Sequence, residues 1–298
     1  MNEPSSNSPQ LRSYLLALIA VCLWASAFPS IRIALQSFDP IPLAALRFLV
    51  AGCVWLMWFA FSRPRLPNLK DMGRFFLCGL IGIMGYNICL NLGQTTVSSG
   101  AASFIVNTAP VLIAILAILF LKEAFTPRQW LGTLISFSGV GLIASGQPGG
   151  FAFGEGASFV FGAAVCGSVY TIIQKPLVVK YGAQLTATMV MTSGAICLSP
   201  WLPIALKQAT EVPVWHTGTV VYLGLFPAAI GYGLWGQAQA DFGASRSANF
   251  LYLVPPISVV IAYFLTAEIP QMMTLLGGTL AILGVLIVNR MKRPPKAT

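Results

Sequence analysis

Apolar runs of about 20 residues, the length a helix needs to cross the hydrocarbon core of a bilayer, follow one another along almost the whole chain, separated by short clusters of polar residues, Pro and Gly. The pattern predicts spans near 13–36, 40–61, 73–95, 99–121, 127–145, 154–177, 185–205, 217–240, 245–265 and 271–290. A closed membrane barrel would instead show alternating segments of about 10 residues. Lipid offers no partners to open backbone groups, so long runs of this kind read as helices. The expected fold class is all-α integral membrane with ten transmembrane helices. The first ten residues are polar and lack a basic n-region, and the run that follows has no clear small-residue cleavage site. It is read as a retained span, not a signal peptide.

The second half of the chain echoes the first. Gly79-Leu80 recurs as Gly224-Leu225, Gln94 as Gln239, Pro110 as Pro255, Glu123 as Glu268, Gly132 as Gly277 and Gly139 as Gly284, each 145 positions later. Earlier in the chain the offset is nearer 142, pairing Ser26 with Ser168 and Phe28 with Tyr170, which puts a small insertion around 206–216. This predicts two five-helix repeats, 13–145 and 154–290, with polar tails at 1–12 and 291–298. Five is odd, so the second copy enters the membrane from the opposite side. Inverted repeats of this kind are a hallmark of secondary transporters.

Composition adds one exclusion. Hydrophobic residues make up 56% and charged residues only 8% of the chain, and mean hydropathy is +0.79, whereas a soluble domain carries about 25% charge. The net charge of +9 does not signal nucleic acid, because the few charges lie scattered between apolar runs. It is topological. With both termini inside, inner segments hold fourteen of the seventeen Lys and Arg residues, among them Arg63, Arg65, Lys70, Arg74, Lys122, Arg128, Lys175, Lys180 and Arg246, as the positive-inside rule requires. The six cysteines show no paired short spacing and read as small core residues.

Candidate site residues sit at helical spacing within the spans. Asn87, Asn91 and Gln94 share a face of span 3 with Tyr86 and Leu90 beside it, and span 4 carries Ser99, Ser103 and Asn107 just before Pro110. Span 8 offers Tyr232, Trp235 and Gln239; span 9 offers Ser245, Asn249, Tyr252 and Pro256. Such amides and hydroxyls either tie helices together or line a solvated cavity, and four polar stripes on matching helices favour the cavity. Trp24, Phe28, Tyr86, Tyr170, Tyr232, Trp235 and Tyr252 add rings for an aromatic or branched side chain, or else serve as core and interface residues. Pro110, Pro255 and Pro256 disturb the backbone ladder within spans, as hinges or as simple bends. Gly132, Gly139, Gly277, Gly278 and Gly284 suit close helix packing.

All eight acidic residues lie outside the spans or at their ends, so no buried carboxylate is in place to couple transport to protons. Facilitated movement, or coupling without a buried acid, is expected. Arg47 is the one ionisable residue well inside a span, opposite Met189 in the repeat. It either meets a substrate carboxylate in an outer vestibule or snorkels outward. Asp39-Pro40 reads as an N-cap with Pro at the first helical position. His216, the lone histidine, falls in a predicted outer loop, and neither H-E-x-x-H, G-x-S-x-G nor a Walker A sequence occurs. No metal, cofactor or catalytic residue is expected, nor a self-contained ATP-driven pump.

Leu23-Trp24-Ala25-Ser26-Ala27-Phe28, Leu46-Arg47-Phe48, Pro110-Val111, Leu121-Lys122-Glu123, Gln129-Trp130-Leu131-Gly132 and Gly139-Val140, with their echoes in the second half, resemble the drug/metabolite transporter superfamily of the type with two EamA-like halves. Within it the chain is most similar to the YddG-like bacterial exporters of aromatic and other neutral amino acids. The resemblance implies a ten-helix basket, spans 1–4 and 6–9 around a central cavity, spans 5 and 10 at the periphery, and outward movement of substrate across the bacterial inner membrane. A small-molecule substrate and membrane lipid are the implied partners, nucleic acid is not, and a monomer is the simplest working unit. The rival readings are a nucleotide-sugar, phosphate-ester or drug antiporter of the same superfamily, the phosphate carriers needing fixed cations in the cavity, and a membrane-embedded lipid-modifying enzyme.

Overall fold

The computed structural model describes residues 8–97, 99–145, 156–266 and 272–289. Glu155, Glu268 and the tail residues 1–7 and 290–298 lie outside the described residues, as do the side chains of Ser99 and Ser245. The described chain forms helical rods: α1 (Ser8–Ala34), α2 (Pro40–Ser62), α3 (Leu69–Gln94), α4 (Ser99–Val106 with Ala109–Leu121) and α5 (Pro127–Ser145). There follow α6 (Ala157–Tyr181), α7 (Ala183–Glu211), α8 (Val214–Phe242), α9 (residues 244–266) and α10 (Met272–Asn289). Seven stretches among the described residues, in α1–α4 and α6–α8, are long and apolar enough to cross a membrane; Leu275–Val288 of α10 is a shorter apolar helix. Large apolar side chains such as Leu56, Leu119, Phe120, Ile196 and Phe264 point outward, which water would penalise and acyl chains accept.

Pro29 and Pro176 lie inside continuous helix, but Pro110, Pro255 and Pro256 stand where a helix restarts. α4 breaks at Asn107–Thr108 and restarts at Ala109 with Pro110 in its first turn. α9 tightens to a 3₁₀ segment, Asn249–Leu253, and resumes at Val254 with Pro255 and Pro256 following. Proline has no N–H and its ring crowds the carbonyl four residues back, so the ladder stops and restarts where neither matters. α3 and α8 carry a second irregularity, π-helical turns at Gly79–Gly85 and Gly224–Gly231. Two tryptophans bond to carbonyls of the second turn: Trp24 Nε1 donates to Pro227 O at 3.0 Å and Trp55 Nε1 to Ala229 O at 3.2 Å. The two kinds of irregularity recur at the repeat interval.

α5 and α10 lie against each other, and glycine makes the approach possible. A Cβ on Gly139 would sit 2.5 Å from both Ala281 N and Gly277 O; one on Gly132, 2.8 Å from Gly284 O; one on Gly284, 2.4 Å from Gly132 O. Contacts that pair early residues of one helix with late residues of the other mean the helices run antiparallel. Ser136 Oγ donates to Ala281 O at 3.0 Å, and 281 is 136 plus the repeat interval of 145.

Polar contacts gather at the two ends of the bundle. At one end Lys180 Nζ and Tyr181 OH both donate to Asp71 Oδ2 at 2.6 Å. Glu123 accepts from Lys175 and from Ala244 N, Asp241 accepts from Ser13, and Arg246 donates to Tyr14 OH. At the other end Gln208 and Asp39 exchange two hydrogen bonds, Ser37 pairs with His216, and Thr96 Oγ1 accepts from Gly156 N.

Three expectations need correcting. Asp39 is the N-cap residue before Pro40, but its carboxylate bonds Gln208 rather than the helix amides. His216 lies within α8, buried, because that helix begins at Val214. Cys22 and Cys53 are exposed on outer helix faces, while Cys78 is buried; a thiol in lipid has no solvation cost that would force it inside.

Candidate functional site

A cavity of about 890 Å³, its open mouth included, opens between the two halves of the chain. Its walls come from α1 (Trp24, Phe28), α2 (Arg47), α3 (Gly82, Tyr86, Leu90), α4 (Val106, Asn107), α6 (Tyr170, Thr171), α8 (Tyr232, Trp235) and α9 (Leu251, Val254), with a few small or aliphatic neighbours. None of the lining residues belongs to α5, α7 or α10, and none is acidic. Several sit at repeat-equivalent positions: Phe28 with Tyr170, Leu90 with Trp235, Val106 with Leu251.

The rings form one connected wall. Trp24 packs on Tyr232 at 5.3 Å between centroids and on Trp235 at 5.0 Å, and Tyr170 faces Tyr232 at 6.2 Å, separations at which aromatic pairs attract. Gly82 is what lets Tyr170 reach this wall: a Cβ there would meet the tyrosine ring at 2.3 Å. The break before Pro110 contributes a carbonyl. Val106 stands four residues before Pro110, which offers its oxygen no helical N–H, whereas Leu251 O is taken by the N–H of Val254 in the 3₁₀ segment.

Two polar side chains differ from the rest. Asn107 donates Nδ2 to Ser103 O at 2.7 Å, leaving its buried Oδ1 without a partner. Arg47 does not snorkel; it is only 4% exposed and faces the cavity. Its Nε donates to Leu223 O at 3.3 Å and one terminal nitrogen to Asn87 Oδ1 at 3.1 Å. Leu223 O lies at the start of the π turn, four residues before Pro227, which has no N–H to give it. The guanidinium lies 5.2 Å from the Phe48 ring centre, and among the described residues no carboxylate pairs with it.

Of the twelve residues expected to bind substrate, Trp24, Phe28, Tyr86, Asn107, Tyr170, Tyr232 and Trp235 line the cavity. Five lie behind its wall. Asn87 holds Arg47 and Ile83 O; Asn91 donates to Pro40 O at 2.8 Å; Ser103 is buried beneath Asn107; Asn249 Oδ1 accepts from Thr133 Oγ1 at 2.8 Å; Tyr252 packs with Val140, Ala281 and Val285. These five hold helices together. Pro110, Pro255 and Pro256 mark helix restarts beside the cavity. Sequence reasoning missed Gly82, Thr171 and Pro227; a glycine and a proline 145 apart, at 82 and 227, are the signal that was available. Among the described residues no three His, Cys, Asp or Glu side chains gather as metal ligands would.

The model of the EamA-like transporter family matches the chain twice, over residues 11–145 and again over 154–290. The chain belongs to the EamA-like transporter family. This EamA-like protein is thus a multi-pass membrane transporter. It is 37% identical to the uncharacterized transporter YdfC of Bacillus subtilis, with 92% of this chain and 91% of that one aligned. It is also 37% identical, over 92% of both chains, to a probable terminal-alkyne amino-acid exporter of Streptantibioticus cattleyicolor. A protein of known crystal structure, 18% identical, superposes with a TM-score of 0.76 over 93% of this chain and 96% of its own, a likeness of fold alone.

Proposed function

We propose that this EamA-like transporter exports small neutral amino acids, aromatic ones favoured, across the bacterial inner membrane by alternating access. One observation carries the reading: a ring-walled, acid-free cavity lies between the halves, lined by repeat-equivalent positions from each. Trp24, Tyr170, Tyr232 and Trp235 give an aromatic side chain surfaces to stack on. Asn107 Oδ1 and the Val106 carbonyl freed by Pro110 offer acceptors to an ammonium group. The 37% identical relative named as an amino-acid exporter supports the substrate class.

The mechanism rests on ten spans in two inverted units, 13–145 and 154–290. Support comes from α5 and α10. Ser136 meets its own repeat counterpart, and Gly132 meets Gly284 as Gly139 meets Gly277. Contacts in which i touches j and the equivalents of j and i touch likewise are those of a two-fold axis. Because the helices run antiparallel, that axis crosses them and lies in the membrane plane, which inverts one half relative to the other. The basic-rich end, with Lys180, Lys175 and Arg246, is assigned to the cytoplasm together with both termini. The halves then rock about the cavity, with the breaks in α4 and α9 as hinges.

The test is counterflow in proteoliposomes of purified protein loaded with L-phenylalanine, scoring unlabelled amino acids, cationic drugs and nucleotide sugars as competitors. Neutral aromatic amino acids should compete best. Trp235→Ala should weaken apparent affinity about tenfold, since losing an aromatic pair and its apolar cover removes on the order of 1.4 kcal/mol, while the detergent-solubilised protein stays folded. Best competition by a nucleotide sugar, or wild-type affinity in the Trp235 variant, rejects the reading. Accumulation of substrate driven by an imposed pH gradient alone would reject uncoupled movement.

A further inference from the structure

We infer that Arg47 is the site for the substrate's carboxylate, so that a free carboxylate is a required feature of the cargo; this rests on the reading that the cargo is an amino acid. A guanidinium carries five N–H donors in a planar fork. Here two are used, Nε to Leu223 O and one terminal N–H to Asn87 Oδ1, and both acceptors are neutral. Three donors and the full positive charge remain for the cavity that Arg47 lines. A cation at membrane depth is costly without a counter-ion, and among the described residues no acidic group supplies one. No side chain in the cavity wall is acidic either.

The surroundings fix the guanidinium and leave its charge uncancelled. Leu223 O at the start of the π turn takes Nε, Asn87 is itself anchored to Ile83 O at 2.8 Å, and Phe48 stands behind, fully buried. With Nε and one Nη1 hydrogen taken, the second Nη1 hydrogen and both on Nη2 remain, and the Nη1–Nη2 end of a guanidinium holds a carboxylate through two parallel hydrogen bonds. The repeat counterpart, Met189, is apolar. The cavity is therefore cationic on one side only, and a bound amino acid is oriented with its carboxylate toward α2 and its side chain toward the Trp24–Trp235 wall.

The experiment pairs ligands that differ only in the carboxylate. L-phenylalanine, L-phenylalaninamide and phenethylamine, with glucose 6-phosphate and a cationic dye as other classes, compete in counterflow on wild-type protein and on Arg47→Gln and Arg47→Lys. Ligand-induced thermal stabilisation of the solubilised proteins is read in parallel. Wild type should prefer L-phenylalanine over its two analogues by about a hundredfold, the scale on which one partner of a buried charged hydrogen bond acts. Arg47→Gln should reduce that preference to within a few-fold. Arg47→Lys should restore part of it, since it keeps the charge and loses the fork. A folded Arg47→Gln that keeps the wild-type preference overturns the assignment while leaving amino-acid transport standing. Wild type that carries the phosphate ester, with loss in Arg47→Gln, overturns amino-acid transport and the carboxylate assignment with it. Wild type that favours the carboxylate-free analogues overturns the assignment outright. Should Arg47→Gln fail to fold, Arg47→Lys with undiminished preference and affinity for L-phenylalanine overturns the bidentate site, and a loss of about tenfold upholds it.

Discussion

Leucine in place of Gly139 is expected to lower the melting temperature of the solubilised protein by about 10 °C, because overpacking a tight contact costs about 3 kcal/mol and each kcal/mol moves a chain of this size by a few degrees. The new Cβ would start 2.5 Å from Ala281 N and from Gly277 O. Both are backbone atoms, which no rotamer change can move aside. α5 and α10 must then separate, and Ser136 loses its bond to Ala281 O. Gly284→Leu should fail to the same degree, being the other half of the same contact. Gly141→Ala is the control: its Cβ would meet only Phe104 at 3.7 Å, and helical alanine replacing glycine gains a few tenths of a kcal/mol or more. Fluorescence-detected size exclusion after heating reads all three. A Gly139→Leu protein that melts with wild type would mean the helices do not touch there.

That contact is legible in the amino-acid sequence itself, because close packing leaves small residues at fixed intervals and duplication repeats them. The irregularities are only half legible. Pro110, Pro255 and Pro256 announce a disturbed ladder, yet hydropathy does not register whether a helix bends through a proline or stops and restarts before it. The π turns at Gly79–Gly85 and Gly224–Gly231 leave no mark in apolar periodicity at all. Only their shared Gly-Leu beginnings, 145 apart, hint that both copies do something unusual there.

The site divides along the same line. The aromatic residues are legible as a wall because rings that large must be buried, and the spans of both halves converge. The amides mislead because a helix face is polar for either of two reasons. On α3 the cavity faces Gly82, Tyr86 and Leu90, spaced by four. Asn87 and Asn91 each follow one residue later, a turn of about 100°, which carries them to α2, where Arg47 and Pro40 O receive them. Tyr252, one residue after Leu251, turns away toward Val140 and Ala281 in the same way, while Asn249, two residues before Leu251, meets Thr133. What separates a liganding amide from a packing amide is the partner on the next helix, and that partner is fixed by tertiary structure.

Neutralising Glu123 is expected to open the cavity toward the end of the bundle proposed as cytoplasmic. Glu123 follows α4, in the first half, and accepts from Lys175 and from the backbone N–H of Ala244 at the start of α9, both in the second half. In Glu123→Gln the ammonium of Lys175 loses its counter-ion and the α9 N-terminus loses a negative neighbour. The side chains are 20% and 17% exposed, so solvent screens part of the attraction. The loss is about 1–2 kcal/mol rather than the 3–5 kcal/mol of a fully buried pair, which shifts a two-state population roughly 5- to 30-fold. The measurement uses Thr171→Cys, a cavity-lining position, as the single cysteine, labelled in inside-out vesicles by a membrane-impermeant maleimide. Labelling should quicken by that factor in Glu123→Gln and in Lys175→Gln. The double variant should add little to either, since the two residues form one contact. Ser37→Ala, which releases His216 at the opposite end, should slow it instead. Equal rates in wild type and all four variants would mean that this ion pair ties helices together without controlling which side the cavity faces.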